Sequence, residues 1–138
     1  MSLLAQATPD DLDSAWRQLP APPAYRLLRG PETGLVMLRA RAGGTGAQFN
    51  LGEMTVTRCS VELRGGQVGH AYVGGRSGRH AEQAAVLDAL LQDPAWQARV
   101  AGTVLSRLLV LREAHRSATR ARAAATRVEF FTMVRGEE

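Results

Sequence analysis

The residue types and spacing between positions 31 and 82 suit chemistry with an anion. The glycine-rich piece is Ala42-Gly43-Gly44-Thr45-Gly46, and the arginines are Arg58, Arg76 and Arg79. Glycine lets a backbone approach a ligand closely, and the planar guanidinium group carries a fork of donors that fits phosphate or carboxylate. This block therefore predicts a surface that meets a polar, anionic ligand or partner.

The glycine-rich segment has only part of a phosphate-binding loop. A P-loop ends in Lys-Ser or Lys-Thr, whereas this chain contains no lysine. We also expect the segment to join two strands, so no helix N-terminus follows it to hold an anion. Two interpretations stay open for Gly43, Gly44, Thr45 and Gly46: a long hairpin loop that packs near a partner, or a direct ligand contact.

The three arginines are the best candidate set for binding an anion. Arg58 lies in a predicted strand, and Arg76 and Arg79 flank the turn before a predicted helix. Helix N-termini and guanidinium groups both attract phosphate. The competing interpretation is a set of surface ion pairs with nearby acids, namely Glu53, Glu62 or Glu82.

The segment His80-Ala81-Glu82 matches the first half of a zinc-deaminase signature. That chemistry also needs a later Pro-Cys-x-x-Cys, and the single cysteine, Cys59, lies upstream. His80 is then either a ligand contact or a hydrogen-bonded residue at a helix start, where Glu82 suits the helix dipole. The spacing of His70, His80 and His115 predicts no metal site.

No catalytic residue is predicted, because the sequence has neither a nucleophile elbow nor a convincing carboxylate pair. The 138 residues suit a single domain, residues 1–138. One cysteine and no long apolar run predict a cytoplasmic protein without a membrane span or a signal peptide. A net charge of +4, spread over many arginines, does not argue for nucleic acid.

Hydrophobic periodicity predicts an α+β fold. It consists of a small antiparallel meander of three or four strands, packed with an N-terminal helix and two or more C-terminal helices. A C-terminal strand is a further option. The predicted parts are a helix and proline-rich linker (1–23), the meander (24–75, with strands over 25–28, 35–42, 55–63 and 68–73), helices (79–126) and an extended tail (127–138).

Three further positions carry expectations about exposure. His70 and Tyr72 share one face of a strand, and we expect that face to be core; the alternative is a surface shared with Arg58. His115, among arginines in a predicted helix, is expected to face solvent.

The end of the chain carries β-type and aromatic residues where a terminus is normally polar. We expect Phe130, Phe131, Met133 and Arg135 to be held in the protein's own sheet or to contact a partner, as a subunit interface.

Several of these pieces together carry a family resemblance. They are Pro31–Val36, Gly43–Gly46, Phe49 with Gly52–Arg58, Gly69-His70, Gly75–Glu82 and the ending Arg127–Gly136. In this combination the chain resembles the G subunits, PhnG, of bacterial carbon–phosphorus lyase core complexes. One departure is Ser77-Gly78, where family members often carry Asp-Lys.

The resemblance implies an accessory subunit that assembles with H, I and J subunits in phosphonate utilisation. In that assembly a phosphonate displaces adenine from the ribose C1 of MgATP. MgATP is thus a substrate of the complex, the G subunit carries no cofactor, and the transfer centre is attributed to the I subunit. The alternative is an independent anion- or nucleotide-binding protein, and the isolated chain is a candidate homo-oligomer.

Overall fold

The computed structural model describes residues 1–42 and 45–127. Two short helices precede a three-stranded sheet, and three helices follow it. In chain order these are α1 (Ser2–Gln6), α2 (Pro9–Trp16), β1 (Tyr25–Ala40), β2 (Phe49–Leu63), β3 (Val68–Gly74), α3 (Gly78–Leu90), α4 (Pro94–Val100) and α5 (Ser106–Ala125), with a π-helical segment, Ala101–Leu105, between α4 and α5. The predicted α+β class is confirmed.

The start of α2 follows directly from its sequence. The Thr8 hydroxyl accepts a hydrogen bond from the Asp11 backbone N–H at 3.1 Å, and Pro9 occupies the first helical position, where its missing N–H costs nothing. The helix ends at Trp16, one turn before Pro20, the first proline of the predicted linker.

The sheet is an antiparallel meander in the order β1-β2-β3. Its first strand is a correction: residues 25–28 and 35–42 were expected as separate strands, but β1 runs without a break from Tyr25 to Ala40. Pro31 therefore lies inside a strand. The register shifts between Leu27 and Arg29 and between Arg29 and Glu32, and such irregularities on an edge strand accommodate a residue that cannot donate a ladder hydrogen bond.

One face of β2 and β3 forms the core with α3. Cys59 and Val61 of β2, and Ala71 and Val73 of β3, are buried in the same cluster as the apolar side chains of α3. The helix lies against the backbone of β3 at Gly69, where an added Cβ would stand 2.5 Å from the Ala89 nitrogen. Glycine is needed here for close packing.

The opposite face of β3 carries His70 and Tyr72, and both are exposed. The expectation that they lie in the core is wrong, because the alternating pleat turns Gly69, Ala71 and Val73 inward instead. The alternative interpretation is correct, since Tyr72 stands directly across from Arg58 of β2.

Only the first part of the long helix α5 packs against the core. Leu108 is its one buried residue, and the helix is exposed from Glu113 onward. His115 is exposed, as predicted. No helix within residues 1–42 and 45–127 is long and apolar enough to cross a membrane.

Candidate interaction surface

The first two strands extend beyond the end of the third as a two-stranded ribbon. Residues 35–40 of β1 pair with residues 49–55 of β2, from Leu35 opposite Thr55 to Ala40 opposite Phe49. The third strand pairs with β2 only over residues 56–62. We call residues 35–40 and 49–55 the ribbon.

Both faces of the ribbon carry exposed apolar side chains. Cross-strand pairing puts Leu35 and Met37 on one face and Leu38, Phe49 and Met54 on the other. All five are exposed, and Leu35 reaches 62%. A two-stranded ribbon with both faces in water is marginally stable, and contiguous exposed apolar surface typically marks a site of association.

The edges of the ribbon offer backbone groups as well. Among the described residues, neither β1 nor the ribbon part of β2 has a further strand on its outer side. Unpaired N–H and C=O groups on such an edge can accept a strand from another chain. The ribbon is thus equipped for recognition through apolar contacts and main-chain hydrogen bonds.

The glycine-rich segment lies in the sequence between the two strands of the ribbon. Gly46 has a φ of +94°, a conformation that favours glycine, and Thr45 and Gly46 are exposed. Gly43 and Gly44 lie outside the described residues. The loop joins strand to strand, and a role in contacting a ligand or partner stays a prediction.

Arg58 lies on the exposed face of the sheet and is paired with a different acid from those expected. Its guanidinium donates to the Glu32 carboxylate at 3.0 Å. Contact with Tyr72 and, second, with Glu32 raises the pKa of Arg58 above its usual value. The pairing with Glu32 replaces Glu53, Glu62 and Glu82 as the partner in the ion-pair interpretation.

Arg79 belongs to a separate cluster around Asp13 of α2. Arg79 and Arg17 both donate to the Asp13 carboxylate, and the Gln83 amide donates at 3.0 Å. The Gln83 hydrogen bond is the largest cause that lowers the pKa of Asp13, and the hydrogen bonds from the two arginines lower it further. Burial acts in the opposite direction and raises it. This cluster ties α2 to the first turns of α3.

The structure does not bring the three predicted arginines together. Arg79 is on α3, which packs against the face of the sheet that carries Cys59 and Val61, and Arg58 points to the opposite face. Arg76 is exposed in the turn between β3 and α3. Their assignment as ligand or partner contacts stays a prediction for each residue singly.

His80 is buried, with 4% of its surface exposed. Its ring Nε2 lies 2.8 Å from the Leu4 carbonyl oxygen, so Nε2 carries the proton and donates it to that acceptor. This bond fixes α1 to the start of α3. The geometry fits the interpretation of His80 as a hydrogen-bonded helix-start residue.

Glu82 accepts a hydrogen bond from the Tyr25 hydroxyl at 2.7 Å. Burial, and second this bond, raise the pKa of Tyr25 to about 12. Burial is also the main cause that raises the pKa of the Cys59 thiol, and the charge of Glu82 adds to it. In the described part of the chain, no group of three or more His, Cys, Asp or Glu residues is placed to hold a metal ion.

Sequence reasoning missed two features of this surface. The Asp13 cluster joins residues 66 and 70 positions apart, and no local pattern signals such a contact. The ribbon had a signal in the run Leu35-Val36-Met37-Leu38, which is apolar on both faces of a strand. Such a run indicates either a strand that is covered on both faces within its own domain or one that is covered by a binding partner.

The fold and the ribbon together define a class: small α+β proteins that present an apolar, two-stranded β-ribbon beyond their own core. More narrowly, the chain belongs to the family of phosphonate metabolism proteins PhnG, whose family model matches residues 1–136. The chain is 46% identical over 141 residues to a protein of Rhizobium meliloti (strain 1021), the alpha-D-ribose 1-methylphosphonate 5-triphosphate synthase subunit PhnG. That alignment covers 100% of this chain and 88% of the relative.

Proposed function

We propose that this chain is an accessory subunit of an alpha-D-ribose 1-methylphosphonate 5-triphosphate synthase. The supporting facts are its membership of the PhnG family and its 46% identity to a protein named as a subunit of that synthase. In the reaction, a phosphonate oxygen forms a bond to ribose C1 of MgATP, and the bond from C1 to adenine breaks. Adenine leaves with the bonding electrons and takes up a proton.

The observation that carries the subunit role is the exposure of the ribbon. Leu35 and Leu51 are each 62% exposed, although such side chains gain about 1.5–3 kcal/mol when they are fully buried. Contact with another subunit would cover both faces of the ribbon and pair its free edges. The partners in this proposal are the H, I and J subunits of the core complex.

The chain end is a second part of the proposed interface. Phe130, Phe131, Met133 and Arg135 lie outside the described residues, so their role rests on the sequence. Deletion of residues 127–138 is expected to abolish co-purification with the I subunit. Undiminished assembly of the deletion variant would show that the tail is not part of the interface.

Release of adenine tests the proposed function directly. The purified chain, incubated with MgATP and methylphosphonate, is expected to release no adenine, whereas the chain co-expressed with the H, I and J subunits releases it. Adenine is quantified by chromatography, and the three other subunits expressed without this chain serve as the control. Turnover by the isolated chain, or an equal rate from the control, would contradict the proposal.

A further inference from the structure

A groove with a volume of about 490 Å³ lies between the N-terminal segment and α5. Residues from Leu3 to Asp11 form one wall, and the helix from Leu108 to Arg120 forms the other. Three lining side chains are arginines, Arg112, Arg116 and Arg120, and we call this feature the arginine groove. Residues four apart share a helix face at a rise of about 6 Å per step, so the three guanidinium groups follow one another along one wall.

Among the described residues, the lining of the arginine groove holds three arginines and one acid. Within residues 1–42 and 45–127, Arg112 and Arg116 make no ion pair. Asp11 is the acid in the lining, and its carboxylate lies 3.8 Å from His115 Nδ1. Arg120 reaches Glu113 at 3.7 Å, where both side chains are mostly exposed.

Arg112 is the informative member of this set because it is partly buried. A cation withdrawn from water without a counter-charge is unfavourable. An anion seated between Arg112 and Arg116 would relieve that cost. Guanidinium groups bind phosphate oxygens through two parallel hydrogen bonds, which adds geometric selectivity to the charge.

We propose that the arginine groove binds a small oligophosphate anion, of the pyrophosphate or triphosphate class. Its volume falls in the range of small-molecule sites, about 300–1,000 Å³. Three guanidinium groups spread over about 12 Å of helix match several linked phosphates better than a single one. A groove of this volume suits a small anion better than an acidic protein segment, which would need a longer track.

Calorimetric titration of the full chain tests this proposal. Tripolyphosphate is expected to bind with one site per chain, more tightly than pyrophosphate, and pyrophosphate more tightly than orthophosphate. Arg116→Gln and, separately, Arg112→Gln should weaken tripolyphosphate binding about tenfold or more, because each removes charged hydrogen bonds. Arg122→Gln is the matched control: it lies on the same helix, is exposed and does not line the groove.

Three results would overturn the proposal. They are the absence of binding by any of the three phosphates, equal weakening by Arg116→Gln and Arg122→Gln, and binding of poly-glutamate in place of tripolyphosphate at this groove. Circular dichroism of each variant establishes that it is folded. The assay uses the chain alone, so its outcome does not depend on the proposed synthase assembly.

Discussion

Removal of two ribbon leucines should weaken assembly by a calculable amount. Leu35 and Leu51 are each 62% exposed, and full burial of a leucine side chain is worth about 1.5–3 kcal/mol. Covering the exposed part of each is therefore worth about 1–2 kcal/mol. The double variant Leu35→Ala/Leu51→Ala should lose about 2–4 kcal/mol of binding free energy, or roughly 30- to 700-fold in affinity.

Alanine keeps one methyl group, so the lower part of this range is expected. The assay is titration of the purified chain into the co-expressed H, I and J subunits, with dissociation constants measured for wild type and variant. Val110→Ala is the matched control, since Val110 is 70% exposed but lies on α5, away from the ribbon. The Tm of each variant is measured in parallel.

The refuting result is specific. If Leu35→Ala/Leu51→Ala binds within about twofold of wild type, which is a difference below 0.5 kcal/mol by the relation of affinity to free energy, the ribbon is not the interface. Equal weakening by Val110→Ala would also refute the reasoning, because the loss would then not be specific to the ribbon.

Three predictions concern stability and reactivity. Folding lowers the pKa of Asp13, so its contribution to stability is present above the usual value of 3.8 and is lost as pH falls through the lowered pKa. Asp13→Asn should therefore flatten the pH dependence of urea unfolding in that acidic window; an unchanged slope would contradict this. Gly69→Ala should destabilise by about 3 kcal/mol, because its Cβ would press on the Ala85 and Ala89 backbone. Gly102→Ala, whose Cβ meets open space, should gain about 1 kcal/mol, and thermal melting that ranks the two alike would refute the packing argument. The buried Cys59 thiol, with its raised pKa, should react with a disulfide reagent only after unfolding, so rapid labelling of the native chain would count against its burial.

The class of the fold was predictable from local pattern. Alternation over residues 55–63 and 68–73 marked β3 and the second part of β2, whereas the first part of β2, from Phe49, was missed. The length of β1 was not predictable in this way, because a proline such as Pro31 normally indicates the end of a strand when only neighbouring residues are considered. The strand continues past Pro31 because β1 pairs with β2 on both sides of it, and register shifts within that pairing accommodate the proline.

The site was less predictable than the fold. Residue type marked Arg58 and Arg79 as candidates for binding an anion or for ion pairs, but residue type does not say which acid each one meets. Glu32 and Asp13 became their partners through strand register and helix packing. Likewise, α3 packs against β3 at Gly69, so the side of the strand that carries Gly69 is buried. His70 and Tyr72 lie on the other side and face outward.

Oxidative footprinting of methionines tests most directly whether this surface is covered in the assembly. Met37 and Met54 lie on opposite faces of the ribbon and are exposed in the isolated chain, as is Met1 at the N-terminus. In the complex with the H, I and J subunits, Met37 and Met54 should become protected from oxidation relative to the free chain. Unchanged oxidation of both ribbon methionines in a complex that retains adenine release would contradict the account.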